Sequence, residues 1–173
     1  MAKIESAGAA EYLEMLKKLT KETDGVCKHA VYKGAEVAAD TIKQYTEAIP
    51  NPPEMTEHPY FYVSNGSKKA HELLRGLKEE EKQGLIKGLS ITKMQKEDGS
   101  WNVKVSFGGY NDVKNSSFPK GEPNVMIARC VESGSLIREK TPFVSRAIRA
   151  CKEKAEKEME DAIIEKIEEI ANT

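Results

Sequence analysis

From Thr141 to the C-terminus the chain keeps one helical period. Phe143, Ala147, Ala150, Cys151, Ala155, Met159, Ala162, Ile163, Ile167 and Ile170 recur at steps of mostly three and four, and Lys, Arg and Glu fill most of the places between. Thr141 is a good N-cap and Pro142 suits the first helical position. Pairs such as Glu153 and Lys157 stand at the stabilising four-residue spacing. The pattern predicts a helix over 142–171, a rod about 40 Å long at about 1.5 Å per residue. Its apolar seam is narrow, and something must cover it. Two placements are open: the first helix of the same chain, or another subunit.

The N-terminal third predicts a second long helix, over 10–48. Tyr12, Leu13, Met15, Leu16 and Leu19 begin an apolar stripe that resumes as Val26, Ala30, Val31, Gly34, Val37, Ala38, Ile42 and Tyr45. Asp24-Gly25 is a possible kink. Ile49-Pro50 closes the helix, because proline disfavours helical geometry in the residue before it.

Between the helices the pattern changes. Residues 50–66 contain Asn51-Pro52-Pro53 and His58-Pro59 and read as an irregular insert. Within it, Tyr60, Phe61, Tyr62 and Val63 suit a short strand or a hydrophobic plug. Ser67 as an N-cap, with Ala70, Leu73, Leu74 and Leu77, predicts a short helix over 67–78. The clearest β signal spans 86–107: an apolar stretch, the turn sequence Glu97-Asp98-Gly99-Ser100, then strict alternation from Trp101 to Phe107. Residues 111–123 form a polar loop longer than most hairpin connections, and the segment around Ile127 reads as a short helix or a strand, with the helix preferred. The whole is an α+β fold in one domain, with a long N-terminal helix, a small antiparallel sheet and a long C-terminal helix packed on the sheet.

Composition excludes several functions. The formal charge is −1 with 32% charged residues, so the excess cation of a dedicated nucleic-acid binder is missing. No run approaches the roughly 20 apolar residues of a membrane span, and no leader pattern opens the chain. Cys27, Cys130 and Cys151 are odd in number and far apart, which suits a reducing cytoplasm. All three read as core residues. His29, His58 and His71 lack partners at ligand spacing, so no metal or cofactor is expected. The acidic runs, Glu79-Glu80-Glu81 among them, read as solvated helix faces. Glu132 is the one acid set in an apolar run, best read as a hydrogen-bond acceptor for backbone amides. An enzyme is not expected; a hydrolase using Glu132 with His58 or His71 would rest on residue types alone. Lys87, Lys93, Lys96 and Lys104 cluster on the hairpin, leaving a small nucleic-acid-binding or regulatory protein as the alternative of another class.

Three strings in order carry a resemblance. Gln83-Gly84-Leu85-Ile86-Lys87-Gly88-Leu89 enters the hairpin, Ala128-Arg129-Cys130-Val131-Glu132-Ser133-Gly134-Ser135 follows it, and Thr141-Pro142-Phe143-Val144-Ser145-Arg146-Ala147 opens the last helix. Together they resemble the bacteriophage tail-completion, or head–tail joining, family of small tail components of lambdoid-type phages. Its pattern runs Thr-Gly-x-Leu-x-x-Ser, then Ala-x-x-Val-Glu-x-Gly-Thr, then Pro-Phe-Leu-x-x-Ala. Gln83 departs from the threonine of the first string, and Ser133 and Ser135 from the aromatic and threonine of the second. The motif positions are Gly84, Leu85, Ala128, Val131, Glu132, Gly134, Pro142, Phe143 and Ala147.

The resemblance implies a virion structural subunit at the neck of a tailed phage, prophage or phage-tail-like particle. It would be made in the host bacterial cytoplasm and complete the tail by forming a closed homo-oligomeric ring of about six copies. A tail terminator or related neck ring is the neighbouring possibility. The partners implied are the tail terminator or tail tube and the head connector, with DNA passing through the lumen and no membrane. Contact elements are expected in the insert 50–66 with Tyr60 and Phe61, in the loop 111–123 with Asn111, Asp112, Lys114 and Phe118, and in residues 133–140 with Leu136, Ile137 and Arg138.

Overall fold

The structure is a computed structural model that describes residues 9–51, 54–55, 60–64, 67–71, 73–114 and 116–172. Helix α1 runs Ala9–Glu47 and helix α4 runs Phe143–Ala171. They pack antiparallel along most of their length. Ile42 shares a groove with Val144 and Ile148, Gly34 meets Met159, and Lys18 and Glu22 lie beside Lys166, Glu169 and Ile170. The same chain therefore supplies the cover for the seam of the last helix. α1 passes Asp24-Gly25 without a break. Thr20, Thr23, Thr41 and Thr46 each return a hydroxyl to the carbonyl four residues back, which keeps them compatible with the helix.

Between these helices lie β1 (Glu54–Met55), β2 (Tyr60–Ser64), β3 (Ser67–His71), β4 (Leu74–Arg75), α2 (Glu79–Gly88), β5 (Leu89–Ile91), β6 (Gln95–Glu97), β7 (Ser100–Asn102), β8 (Val105–Phe107) and α3 (Asn124–Ser133). All paired strands are antiparallel. The architecture is α+β, two long helices with a small antiparallel β region against them.

The second hairpin is one ribbon with a break. Leu89 pairs with Phe107 and Ile91 with Val105; beyond the break, Gln95 pairs with Asn102 and Glu97 with Ser100 around Asp98-Gly99. At the break, Thr92 N donates to Lys104 O and Lys104 N donates to the Thr92 hydroxyl.

Two expectations are corrected. Residues 67–78 are not a helix: Ser67–His71 pairs with Tyr60–Ser64, and Leu74–Arg75 with Glu54–Met55. The dipeptide between the paired Ser64 and Ser67 is Asn-Gly, the strongest short hairpin signal, and it outweighs an N-cap reading of Ser67. The "irregular" insert thus holds one side of an arm. The ribbon of the central hairpin begins at Leu89, because residues 79–88 form α2. Its first turn is rich in glutamate, which suits a helix N-terminus. The short helix expected around Ile127 is present as α3. The last helix starts one residue late, with Pro142 in the cap position.

One core unites the elements. Ile42 from α1, Ile49 just past its end, Leu77, Leu85 from α2, Ile127, Ala128 and Val131 from α3, and Phe143 and Ala147 from α4 are buried together, with Leu89, Val105 and Phe107 packed against them. The Phe143 and Phe107 ring centroids are 5.8 Å apart and tilted, a favourable aromatic contact. Phe143 therefore anchors α4 to the ribbon, and Trp101 takes no part in that contact. It sits at the far tip of the ribbon, where its indole N–H donates to Asp24 of α1 at 3.1 Å and Lys28 lies 4.2 Å over its ring.

That tip contact responds to acid. The Trp101 N–H, the Lys96 ammonium at 3.0 Å and the positive charge around it hold the Asp24 carboxyl below its ordinary value of 3.8. A depressed carboxyl strengthens the fold above its unfolded pKa, and the contribution disappears as pH falls through the folded value. Trp101 is the only tryptophan, so its fluorescence reports the tip directly. An acid transition with its midpoint below 3.8 is expected, and Asp24→Asn should abolish it; an unchanged transition in the variant would show that Asp24 is not its source.

Candidate assembly surface

Residues 135–138 form a tight turn between α3 and α4. Ser135 N donates to Arg138 O at 2.9 Å, and Ile137 N donates to the Ser135 hydroxyl at 3.4 Å. Leu136 and Ile137 occupy its tip at 66% and 59% exposure. Tips of this kind usually hold Gly, Asn, Asp or Ser, whose conformational or hydrogen-bonding properties favour turns. Two large aliphatic residues there expose apolar surface that the fold does not use.

The root of this turn is rigid. Arg138 is buried, and its guanidinium donates to Glu81 Oε1 at 2.7 Å and to the Gly76 carbonyl. Glu81 is buried too, and its other oxygen accepts from Lys78 N at 2.8 Å. Leu74 N donates to Ile137 O and Glu139 N to Leu74 O, so the turn edge bridges β4. The first and third expected contact elements are thereby joined at the base of the β1–β4 arm. Gly134 precedes the turn at φ +79°, a conformation that glycine adopts without steric cost.

Glu132 is an acceptor for the start of α4. Its carboxylate receives Val144 N at 2.8 Å, Ser145 N at 3.1 Å and the Ser145 hydroxyl. These satisfy donors that the first helical turn leaves open. The second and third motif strings are thus one device: the acid of one caps the helix that the other opens. The same contacts give Glu132 a structural role at the start of α4. Glu132→Ala is expected to lower stability by about 1–2 kcal/mol, the range of lost helix caps, measured by urea unfolding; Glu132→Gln, which keeps one acceptor oxygen, should lose less.

The loop 111–123 is stitched down at its ends. Asn111 is 3% exposed, and its side-chain oxygen accepts from Val113 N at 3.0 Å and Glu122 N at 2.9 Å. Asn111 is therefore a loop staple and not a contact residue. Asp112 and Lys114 are exposed and Phe118 is half-buried. Asn124, also buried, donates to Gly108 O at 2.7 Å. Gly84 of α2 lies against both asparagines: an added Cβ would meet Asn111 Cβ and Asn124 Oδ1 at 2.7 Å. Gly84→Val is expected to destabilise by about 1–3 kcal/mol through overpacking, read in a thermal melt.

The other motif residues, Leu85, Ala128, Val131, Phe143 and Ala147, are core. Arg138 joins Asn111 as a correction, buried where an interface residue was expected. Sequence reasoning also placed Glu81 on a solvated face, whereas it is the buried partner of Arg138. No local pattern links two residues 57 positions apart. Cys27 is exposed, Cys130 half-buried and Cys151 buried, so only the last fills a core position. Tyr60 and Phe61 pair with His71 and Ala70 in the arm; His58 lies outside the described residues. Of the hairpin lysines, Lys96 is engaged with Asp24, while Lys87, Lys93 and Lys104 are exposed.

Among the described residues no three His, Cys, Asp or Glu gather as a metal site, and no helix is long and apolar enough to cross a membrane. What the arrangement offers is surface: exposed Leu136 and Ile137 on a pinned turn, with exposed Val125 on the nearby α3. Comparison with protein-family models, curated proteins and solved structures finds no match.

Proposed function

We propose that this chain is a structural subunit at the head–tail joint of a tailed phage or phage-tail-like particle, and that it works by assembling into a ring. The resemblance of the three strings supports this, and so does their placement. They meet in one core, where Glu132 of the second caps the helix opened by the third. The observation that carries the assembly reading is the 135–138 turn. Water-exposed aliphatic side chains on a tip anchored by a buried ion pair are suited to a partner surface that covers them. The tail terminator or tail tube would meet one face of the ring and the head connector the other.

The test is paired. Leu136→Ser/Ile137→Ser should leave unfolding unchanged within about 0.5 kcal/mol, as for exposed positions, yet abolish co-purification with tail-tube and connector proteins expressed from the same gene cluster. Retained co-purification in this variant would remove the turn from the interface. A wild-type chain that binds neither protein would remove the neck reading.

A further inference from the structure

The two long helices do not end level. Gly34 of α1 meets Met159 and Ala155 of α4, and Lys18 and Glu22 share a pocket with Lys166, Glu169 and Ile170. The pair is antiparallel, so each step back along α1 is one step forward along α4. Counted from either contact, Ala171 at the end of α4 is level with residues 17–20 of α1. Helix α1 starts at Ala9, so about eight of its residues, roughly 12 Å of helix, extend past its partner.

The apolar stripe of α1 runs on into this overhang. Val26 is buried and Leu19 half-buried where α4 lies alongside. Leu16 and Tyr12 continue the stripe at steps of three and four, and they are 40% and 59% exposed. Leu13, 55% exposed, lines an open groove with Leu16, Lys17, Thr20 and Lys21. Thr20 stands one position after Leu19, about 100° round the axis, so the groove opens beside α4 and not beneath it. A short stretch of helix owes most of its stability to packing on its apolar face, and this stretch carries that face into water.

Its charges are arranged for a copy of itself. Leu13, Leu16 and Thr20 share one face at steps of three and four. Glu14, Lys17 and Lys21 share the neighbouring flank at the same steps. A two-fold axis at Leu16 brings two such helices together antiparallel and sets the same flank of each side by side. Glu14 of one copy is then level with Lys18 of the other, between Lys17 and Lys21 on the facing flank. Leu16 meets Leu16, and Tyr12 is level with Thr20. Parallel pairing would set Glu14 beside Glu14 and lysine beside lysine, which repels.

We infer that the overhanging start of α1 pairs antiparallel with the same segment of a second copy of this chain, about a two-fold axis at Leu16. Such a contact is isologous and closes at two copies. With about three helical turns from each copy, it is smaller than a standard interface of about 1,600 Å² and exchanges readily. The inference does not rest on the neck reading. The 135–138 turn precedes α4 and the overhang lies beyond the other end of that helix, about 40 Å away, so one subunit can hold both contacts.

Disulfide trapping in the full chain tests the pairing, in a Cys27→Ser/Cys130→Ser background that leaves the buried Cys151 in place. Leu16→Cys under a mild oxidant is expected to give a covalent dimer. Tyr32→Cys, exposed on the same helix but about 24 Å from the axis, should link at least about tenfold more slowly. Glu14→Lys, or Lys17→Glu/Lys21→Glu, added to Leu16→Cys leaves one sign of charge on the flank, and each chain alone should link about tenfold more slowly. Mixed in equal amounts, the two are expected to recover the rate as a heterodimer. Each rate is divided by that of the same thiol with a small alkylating reagent, which removes the effect of charge on thiol reactivity. Equal linking by Leu16→Cys and Tyr32→Cys, no recovery on mixing, or a Leu16→Cys chain that links to a tail or connector protein in place of its own copy would each overturn the pairing. If Leu16→Cys loses its circular dichroism signal, Tyr12→Cys mixed with Thr20→Cys replaces it; a mixed disulfide is then expected, and its absence overturns the pairing. Binding to tail and connector proteins is read on the wild-type chain, so the neck reading stands or fails separately.

Discussion

Arg138→Ala is expected to cost about 3–5 kcal/mol of folding stability, the range seen when one partner of a buried ion pair is removed. The Arg138 and Glu81 side chains are 9% and 5% exposed with an N···O distance of 2.7 Å. Removing the guanidinium strands the Glu81 carboxylate with the Lys78 amide, and it frees the Gly76 carbonyl as well. Arg138→Lys should fall between, because an ammonium cannot reproduce the fixed fork of donors that reaches both acceptors. Replacing both partners, as Glu81→Met/Arg138→Leu, should recover much of the loss, since the main penalty is the unpaired charge. Urea unfolding of the three variants checks the order. A single Arg138→Ala loss below about 1 kcal/mol, the scale of an exposed pair, would mean that water reaches the site. The pair also roots the turn that displays Leu136 and Ile137, so Arg138→Ala should weaken partner binding without touching either residue.

Phe143→Ala is the second large effect, about 3–5 kcal/mol for deleting a buried aromatic side chain. The residue is 1% exposed, and its ring lies tilted against Phe107 with centroids 5.8 Å apart. It is also the first residue of α4, directly before the two amides that Glu132 accepts. The cavity would open where the ribbon, α3 and α4 meet, so little can collapse into it. A fall in melting temperature of roughly 10 °C is expected for a chain of this size. Phe143→Leu should retain more than half of the stability. A small loss on Phe143→Ala would show that α4 is held by α1 alone.

Glu132 illustrates what a sequence can disclose. An acid within an apolar run, shortly before a Thr-Pro helix start, points to an acceptor for helix amides, and the two amides it meets lie 12 and 13 residues away. Phe143 was legible as the first member of the apolar seam of the last helix. Glu81 was not, since a run of three glutamates describes a solvated face until an arginine arrives from another part of the chain. Asn111 was misread because its bonds to Val113 and Glu122 look like any polar loop from the sequence. Residues 67–78 were misread because the spacing of Ala70, Leu73, Leu74 and Leu77 is helical, while strand pairing with residues 60–64 is a longer-range gain that spacing does not register.

Periodicity alone determined the two long helices and the alternating ribbon, because each is an amphipathic pattern whose burial is local along the chain; the segment around Ile127 read as helix or strand until the structure showed α3. The tertiary structure decided what those patterns face. It chose the partner of the last helix, since α1 runs antiparallel to α4 and packs along its seam. It also decided which charges are buried, because desolvation depends on neighbours that can be dozens of residues away. And it left the distal flank of that helix pair bare, because the ribbon ends at Asp24 while both helices continue.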